Sequence, residues 1–226
     1  MLQKIKYLND VNETLSILQR DGIFIVKDYI NGSSLDDLRK EVLEMCNNGN
    51  DYGFGKAWRL EGAALSSCGD KLPNIYKAFC NEWLFNLNQN YKNQSFCHDI
   101  FATHDYIPVS PEALEAAPNG WLHADKKNCL KFFIYLTDID ESNGAFYCSP
   151  GSVSAGYGLR QKMLRDDNYS EKRRLEVEFP ELVKQYPPEA VNGKAGTLIV
   201  FDTDAFHMGG KVEEGKSRLV VRAHCF

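Results

Sequence analysis

From Phe96 onward the chain consists of short apolar or alternating runs separated by turn-forming residues. The clearest is Leu130 to Leu136, in which Leu130, Phe132, Ile134 and Leu136 alternate with Lys131, Phe133 and Tyr135. Successive side chains of a strand point to opposite faces, so this stretch predicts a strand with two differently lined faces. Further runs cover 96–107, 121–125, 145–148, 197–201 and 217–224, with turn signals such as Asn143-Gly144 and Pro150-Gly151 between them. Short strands in that rhythm suggest two packed sheets, a double-stranded β-helix or cupin-like jelly roll.

The first 95 or so residues have helical texture instead. Asp10 with Glu13, and Ser34 with Asp37, give capping signals for two helices, and Gly22 closes the first before the apolar run Ile23 to Val26. Pro73 suits the first turn of a third helix carrying Ile75, Phe79 and Trp83, while Asp51 to Asp70 is Gly-rich and expected to be irregular. The fold class expected is mainly β with flanking α-helices. A length of 226 residues suits one domain, with a helical part over about 1–95 and a core over about 96–226. The polar stretch 156–189, helical in character around 171–185, is expected as an insertion between strands, placed to act as a lid.

Charge and hydropathy narrow the partners. A net charge of −5 offers no broad attraction to nucleic acid or to an anionic membrane. No apolar run approaches the roughly 18 residues that span a bilayer, and Met1 to Lys6 lacks a secretory core, so the expected address is cytoplasmic. Seven cysteines without a Cys-x-x-Cys pair are expected to be buried thiols.

The chemistry resides in His123-Ala124-Asp125, His207 and Arg218. His123 and Asp125, two apart, project from one side of an extended strand, and a distant strand can supply His207. Two imidazoles and one carboxylate can cover one face of an octahedral Fe(II), leaving positions for a co-substrate and O₂. Arg218 lies eleven residues beyond His207 in an apolar strand, where a guanidinium can grip a carboxylate with two parallel hydrogen bonds. No catalytic residue beyond the metal ligands is needed.

Together with Trp121-Leu122-His123-Ala124-Asp125, the segments Phe132 to Asp138, Ser142-Asn143-Gly144, Ser149-Pro150-Gly151-Ser152 and Ala195 to Asp202 resemble the phytanoyl-CoA dioxygenase family of Fe(II)/2-oxoglutarate-dependent oxygenases. The likeness runs from about Asp10 to the C-terminus; members often carry His after the Pro-Gly-Ser turn, where this chain has Val153. It implies Fe(II) on His123, Asp125 and His207, with 2-oxoglutarate and O₂ as co-substrates and the distal carboxylate on Arg218. It also implies hydroxylation, with 2-oxoglutarate converted to succinate and CO₂; the short chain suggests a small, polar metabolite as the substrate. Related halogenases have a small residue in the place of Asp125, so oxygenation is expected, although desaturation or ring formation would use the same ligands.

Other candidates come from position. Lys131 or Tyr135 would make a second contact to 2-oxoglutarate if their strand face is interior, although an exterior, snorkelling lysine fits the pattern equally. Arg222 and His224 share the face of Arg218 by parity, and Arg222 is the first candidate for an anionic group on the substrate. Lys126 and Lys127 follow the metal Asp directly, and Trp58 and Arg59 fall where family members build one pocket wall, which makes these four further candidates. Two other readings are a jelly roll that binds metal without turnover and a cupin-like metal-dependent hydrolase or isomerase.

Overall fold

The structure is a computed structural model that describes residues 4–5, 11–60, 69–93, 99–107, 120–165 and 174–225. In chain order it contains β1 (Lys4–Ile5), α1 (Val11–Asp21), β2 (Ile23–Val26), α2 (Gly32–Asn47), β3 (Asn50–Asp51), β4 (Gly55–Leu60), α3 (Pro73–Phe79) and α4 (Glu82–Lys92). There follow β5 (Asp99–Asp105), β6 (Leu130–Tyr135), β7 (Phe146–Cys148), α5 (Val153–Met163), α6 (Leu175–Glu178) and α7 (Pro180–Gln185). The chain closes with β8 (Glu189–Val191), β9 (Leu198–Asp202), β10 (His207–Gly209) and β11 (Arg218–Cys225).

The larger sheet has the order β1-β2-β9-β6-β11-β5-β4-β3 and the smaller one β10-β7-β8. All pairs are antiparallel except β1 with β2. Alternation in β6 decides which face meets what. Leu130, Phe132 and Ile134 pack with Phe24, Leu38 and Phe79 in the core beneath the N-terminal helices. Phe133 and Tyr135 turn the other way, toward Phe146, Cys148 and Val191 of the smaller sheet. A third cluster, with Leu122, Leu159, Leu175 and Phe206, fills the space beneath α5 and α6. Each such buried aliphatic or aromatic side chain contributes about 1.5–3 kcal/mol of transfer free energy. The result is a double-stranded β-helix with helices on both sides.

Most expected strands form. Several local expectations change for identifiable reasons. α2 begins at Gly32 behind Asn31, so Ser34 and Asp37 lie inside the helix and not at its cap. The third helix is two helices, because Asn81 Oδ1 accepts from Leu84 N (3.0 Å) and caps a new one that carries Trp83. Asp10 lies outside the described residues, as do 171–173 of the expected insertion helix. The rest of that insertion forms α6 and α7 with Phe179-Pro180 at their junction, and α5 starts ahead of it at Val153. The Gly-rich stretch yields β3 and β4, since β4 is held by β5 and not by local propensity. Gly55 permits this: a Cβ there would stand 2.0 Å from His104 O.

The turn into β9 is similarly tight. Gly196 has φ +87°, donates to Tyr135 O (2.7 Å) and accepts from Ile30 N (3.2 Å), and a Cβ on it would lie 1.9 Å from Ile30 O. Gly196→Ala should therefore cost about 2 kcal/mol or more in urea unfolding, through positive φ and backbone collision together. A change below about 0.5 kcal/mol would show that this turn relaxes freely.

Candidate metal centre

His207 opens β10, and His123 lies beside it. His123 N donates to His207 O (3.0 Å) and His207 N to His123 O (2.8 Å), forming an isolated antiparallel bridge. The strand expected over 121–125 is reduced to this one link. Its neighbours bond elsewhere: Leu122 N to Glu176 Oε1 (2.9 Å) and Asp125 N to Thr203 O (3.0 Å). Leu175 N also donates to Leu122 O (2.9 Å), so the insertion buttresses the segment that carries His123.

The bridge brings the two imidazoles together, their rings tilted by 51° with centroids 4.4 Å apart. His123 Nδ1 is 2.6 Å from Trp121 O and His207 Nδ1 is 2.8 Å from Ala205 O. A carbonyl only accepts, so both Nδ1 atoms hold the proton and both Nε2 atoms present lone pairs. Asp125 Oδ1 lies 3.4 Å from Nε2 of His123 and 3.6 Å from that of His207. One ligand atom from each residue falls within a 4.8 Å cluster. Two basic nitrogens and a carboxylate oxygen around one point make a cation site whose donors suit Fe(II).

Lys131 completes the set by donating to the other carboxylate oxygen, Asp125 Oδ2, at 2.5 Å. Burial alone would raise the Asp125 carboxyl, but Lys131 and the two imidazoles outweigh it and hold the group well below the usual carboxylate range. Asp125 is thus ionised and aimed. Phe201 and Phe146 stand beside the His207 ring at 5.0 and 6.0 Å, forming an apolar wall.

The turn between β9 and β10 carries this geometry. Asp202 is buried and receives Tyr91 Oη (2.9 Å) and Lys92 Nζ (2.6 Å) on Oδ2, with Asn128 Nδ2 (2.6 Å) and Asp204 N (2.9 Å) on Oδ1. Asp204 takes Arg160 of α5 on both oxygens, at 2.7 and 3.0 Å. These supports were missed in the sequence. The signal available was the polar run Asp202-Thr203-Asp204 between a fully apolar strand and a histidine.

A cavity of about 200 Å³ adjoins His123 and His207, and Lys131, Phe133, Tyr135, Arg218 and Arg222 are among its lining residues. Arg218 gives Nε to Asp105 Oδ2 (2.7 Å), brings Nη2 within 2.6 Å of the same oxygen, and gives Nη1 to Gly144 O. Arg222 is partly buried, with its guanidinium 4.5 Å from the Phe101 ring centroid and 5.3 Å from that of Phe133. Its Nη2 donates to Thr103 Oγ1 (3.3 Å), and its Nε has no partner among the described residues. Burial lowers its pKa to about 10, against the opposing pull of Asp105.

Tyr135 reaches the cavity, but its hydroxyl donates to Val191 O (2.9 Å) and accepts from Phe146 N (3.1 Å). The remaining candidates lie outside the cavity lining. Lys126 and Lys127 are exposed in the turn after Asp125. Trp58 opposes Ala102 in the ladder and packs into the helix-side core, so strand parity removes it from the pocket wall. Arg59 is on the inner face opposite Phe101 but half exposed, with Asp99 at 3.4 Å. Phe101, Thr103 and Asp105, not anticipated, form the missing wall through the period-two pattern of β5.

The family model described as phytanoyl-CoA dioxygenase matches residues 18–220. No curated protein sequence matches the chain. Among solved structures the fold is similar to the epimerase SnoN in complex with Fe3+, alpha ketoglutarate and nogalamycin RO, at 14% identity and TM-score 0.66, covering 96% of this chain and 83% of that one. EctD from S. alaskensis with 2-oxoglutarate and 5-hydroxyectoine also has 14% identity and TM-score 0.66, over 97% and 78%. HygX from Streptomyces hygroscopicus with nickel and 2-oxoglutarate has 16% identity and TM-score 0.61, over 94% and 85%.

Asp105 is the carboxylate nearest both pocket arginines, in contact with Arg218 and exerting an electrostatic pull on Arg222. Asp105→Ala should lower unfolding free energy by about 2 kcal/mol, because it leaves two partly buried cations without their shared counter-charge. Urea denaturation measures this, and an unchanged midpoint would show that the two guanidiniums are balanced by something else.

Proposed function

Because the chain belongs to the phytanoyl-CoA dioxygenase family, we propose that it is an Fe(II)- and 2-oxoglutarate-dependent dioxygenase that hydroxylates an unactivated C–H bond of a small polar metabolite. The observation that carries this reading is the convergence of His123, Asp125 and His207, with each Nδ1 engaged by a carbonyl and each Nε2 turned inward. The bound metal with 2-oxoglutarate and O₂ would supply the oxidation, one oxygen atom entering the substrate and the other the succinate formed with CO₂.

The chain's own residues select and orient. Lys131 holds Asp125 Oδ2 so that Oδ1 faces the ligand cluster, and its place in the pocket wall suits a further contact to 2-oxoglutarate. Arg218 has five N–H groups. Asp105 and Gly144 engage one on each of its three nitrogens, which leaves one on each terminal nitrogen for the distal carboxylate of 2-oxoglutarate. Tyr135, its hydroxyl already bonded to Val191 and Phe146, supports the pocket by tying the sheets together. Phe146 and Phe201 give the His207 ring an apolar flank. The partner is a small molecule. Among the described residues no helix is long and apolar enough to cross a membrane.

His207→Ala should abolish both stoichiometric Fe(II) binding and 2-oxoglutarate-dependent succinate formation; retention of either overturns the ligand assignment. Incorporation of ¹⁸O from ¹⁸O₂ into the product supports hydroxylation, whereas succinate without labelled product points to an epimerase-type outcome such as that named for SnoN.

Arg218→Lys loses forked geometry and at least one charged hydrogen bond, so the KM for 2-oxoglutarate should rise by about ten- to a hundredfold. An unchanged KM would mean that Arg218 serves the fold alone.

A further inference from the structure

Among the described residues, charge in the pocket is unequal, and the inequality survives co-substrate binding. Lys131, Arg218 and Arg222 face the interior as cations, with Asp125 and Asp105 as the anions among them. Lys211, the other charged residue in the lining, is exposed. Lys131 pairs with Asp125 and Arg218 with Asp105. Fe(II) and the 2-oxoglutarate dianion together add no net charge. Whichever arginine meets the distal carboxylate of 2-oxoglutarate, one partly buried positive charge is therefore left over among the described residues, and a charge withdrawn from water without a partner is costly.

The leftover charge sits in a built subsite. Phe101 and Phe133 flank the Arg222 guanidinium, Thr103 Oγ1 fixes Nη2, and Nε is without a partner among the described residues. Such a guanidinium, held between aromatic rings, presents N–H groups in a plane, the geometry that a carboxylate meets. Arg222 pairs with Phe133 in the ladder, and the next residue on the same face of that strand is Lys131, which holds the metal-site carboxylate. The cavity, about 200 Å³, is below the usual range for drug-sized ligands, so the group received is the end of a small molecule.

We propose that the primary substrate is a monoanion whose carboxylate is received by Arg222 with Thr103, which fixes the position of the substrate carbon that faces the metal. This rests on the dioxygenase reading above. Arg222 is thereby a specificity residue, separate from the metal ligands and from Arg218.

The test uses the full chain loaded with Mn(II) and saturating 2-oxoglutarate, with butanoate as probe and butanamide as its neutral counterpart, read by calorimetry. Butanoate should bind at least about tenfold more tightly than butanamide, a preference of about 1.4 kcal/mol or more. Arg222→Gln should erase that preference while leaving 2-oxoglutarate affinity within about twofold, and Arg222→Lys should restore part of it. Equal binding of acid and amide to the wild-type protein overturns the proposal alone, and that comparison needs no variant to fold. Butanoate that competes with 2-oxoglutarate, or an Arg222→Gln variant that loses 2-oxoglutarate instead of butanoate, also overturns it. A wild-type protein that binds neither Mn(II) nor 2-oxoglutarate overturns the dioxygenase reading, and the proposal with it.

Discussion

The buried carboxylate of Asp202 fixes the turn that both metal-binding segments lean on. It lies at 1% exposure at the end of β9, and a charge there is tolerated because Lys92 supplies the opposite sign while Tyr91, Asn128 and the Asp204 amide supply donors. Burial and the neighbouring Asp202 and Asp204 charges raise the Tyr91 hydroxyl above its ordinary range, so it stays a donor. From this node the constraint spreads in two directions. Forward along the chain it shapes the turn whose Ala205 carbonyl orients His207. Across space, Thr203 O holds Asp125 N and Thr203 Oγ1 holds Cys129 N (2.9 Å), fixing the chain on either side of Lys126 and Lys127. Residues 74 or more positions apart are brought to one point by side chains that never touch the metal.

The larger sheet separates stability from chemistry by face. One side of β6 is wholly aliphatic and aromatic and joins the helices; the other carries Lys131, Phe133 and Tyr135 into the pocket. The same division applies in β11, where Leu219 and Val221 face the helix-side core while Arg218 and Arg222 face inward. Polar groups on the inner face are therefore expensive in solvation and are kept by pairing, stacking or a hydroxyl. Tyr135 bridges to the smaller sheet through Val191 and Phe146, so the two sheets are joined by hydrogen bonds as well as by packing.

Much of this was legible because it follows from period. Alternation in 130–136 divided the strand into two faces, although not which of them is interior, and the His-x-Asp spacing with a later His pointed to the cluster of His123, Asp125 and His207. What was not legible depended on partners far away in sequence. β4 forms from a Gly-rich stretch because β5 accepts it, and Trp58 leaves the pocket for the same reason. Asp105 could not be seen as the partner of Arg218, 113 positions away, until β5 and β11 were in register. The strand expected at 121–125 failed because the side chain of Glu176 and the backbone of Thr203 took its hydrogen bonds. Local pattern gives the face of a residue; the identity of its partner requires the topology.

Cys148 stands directly opposite His207 in the ladder between β7 and β10, and opposite residues of an antiparallel pair share a face. A sulfur donor at that point would favour zinc or copper(I) over iron if it were a thiolate. Complete burial between the sheets pushes the Cys148 thiol well above its ordinary range and so disfavours the thiolate, and its sulfur lies outside the cluster formed by His123, Asp125 and His207. Nearby Cys129 is pushed up to about 12 by burial. The packing that fills the space between the sheets thus also leaves the candidate ligand set to nitrogen and oxygen, a bias in metal preference that would come from an apolar core and not from the donors themselves.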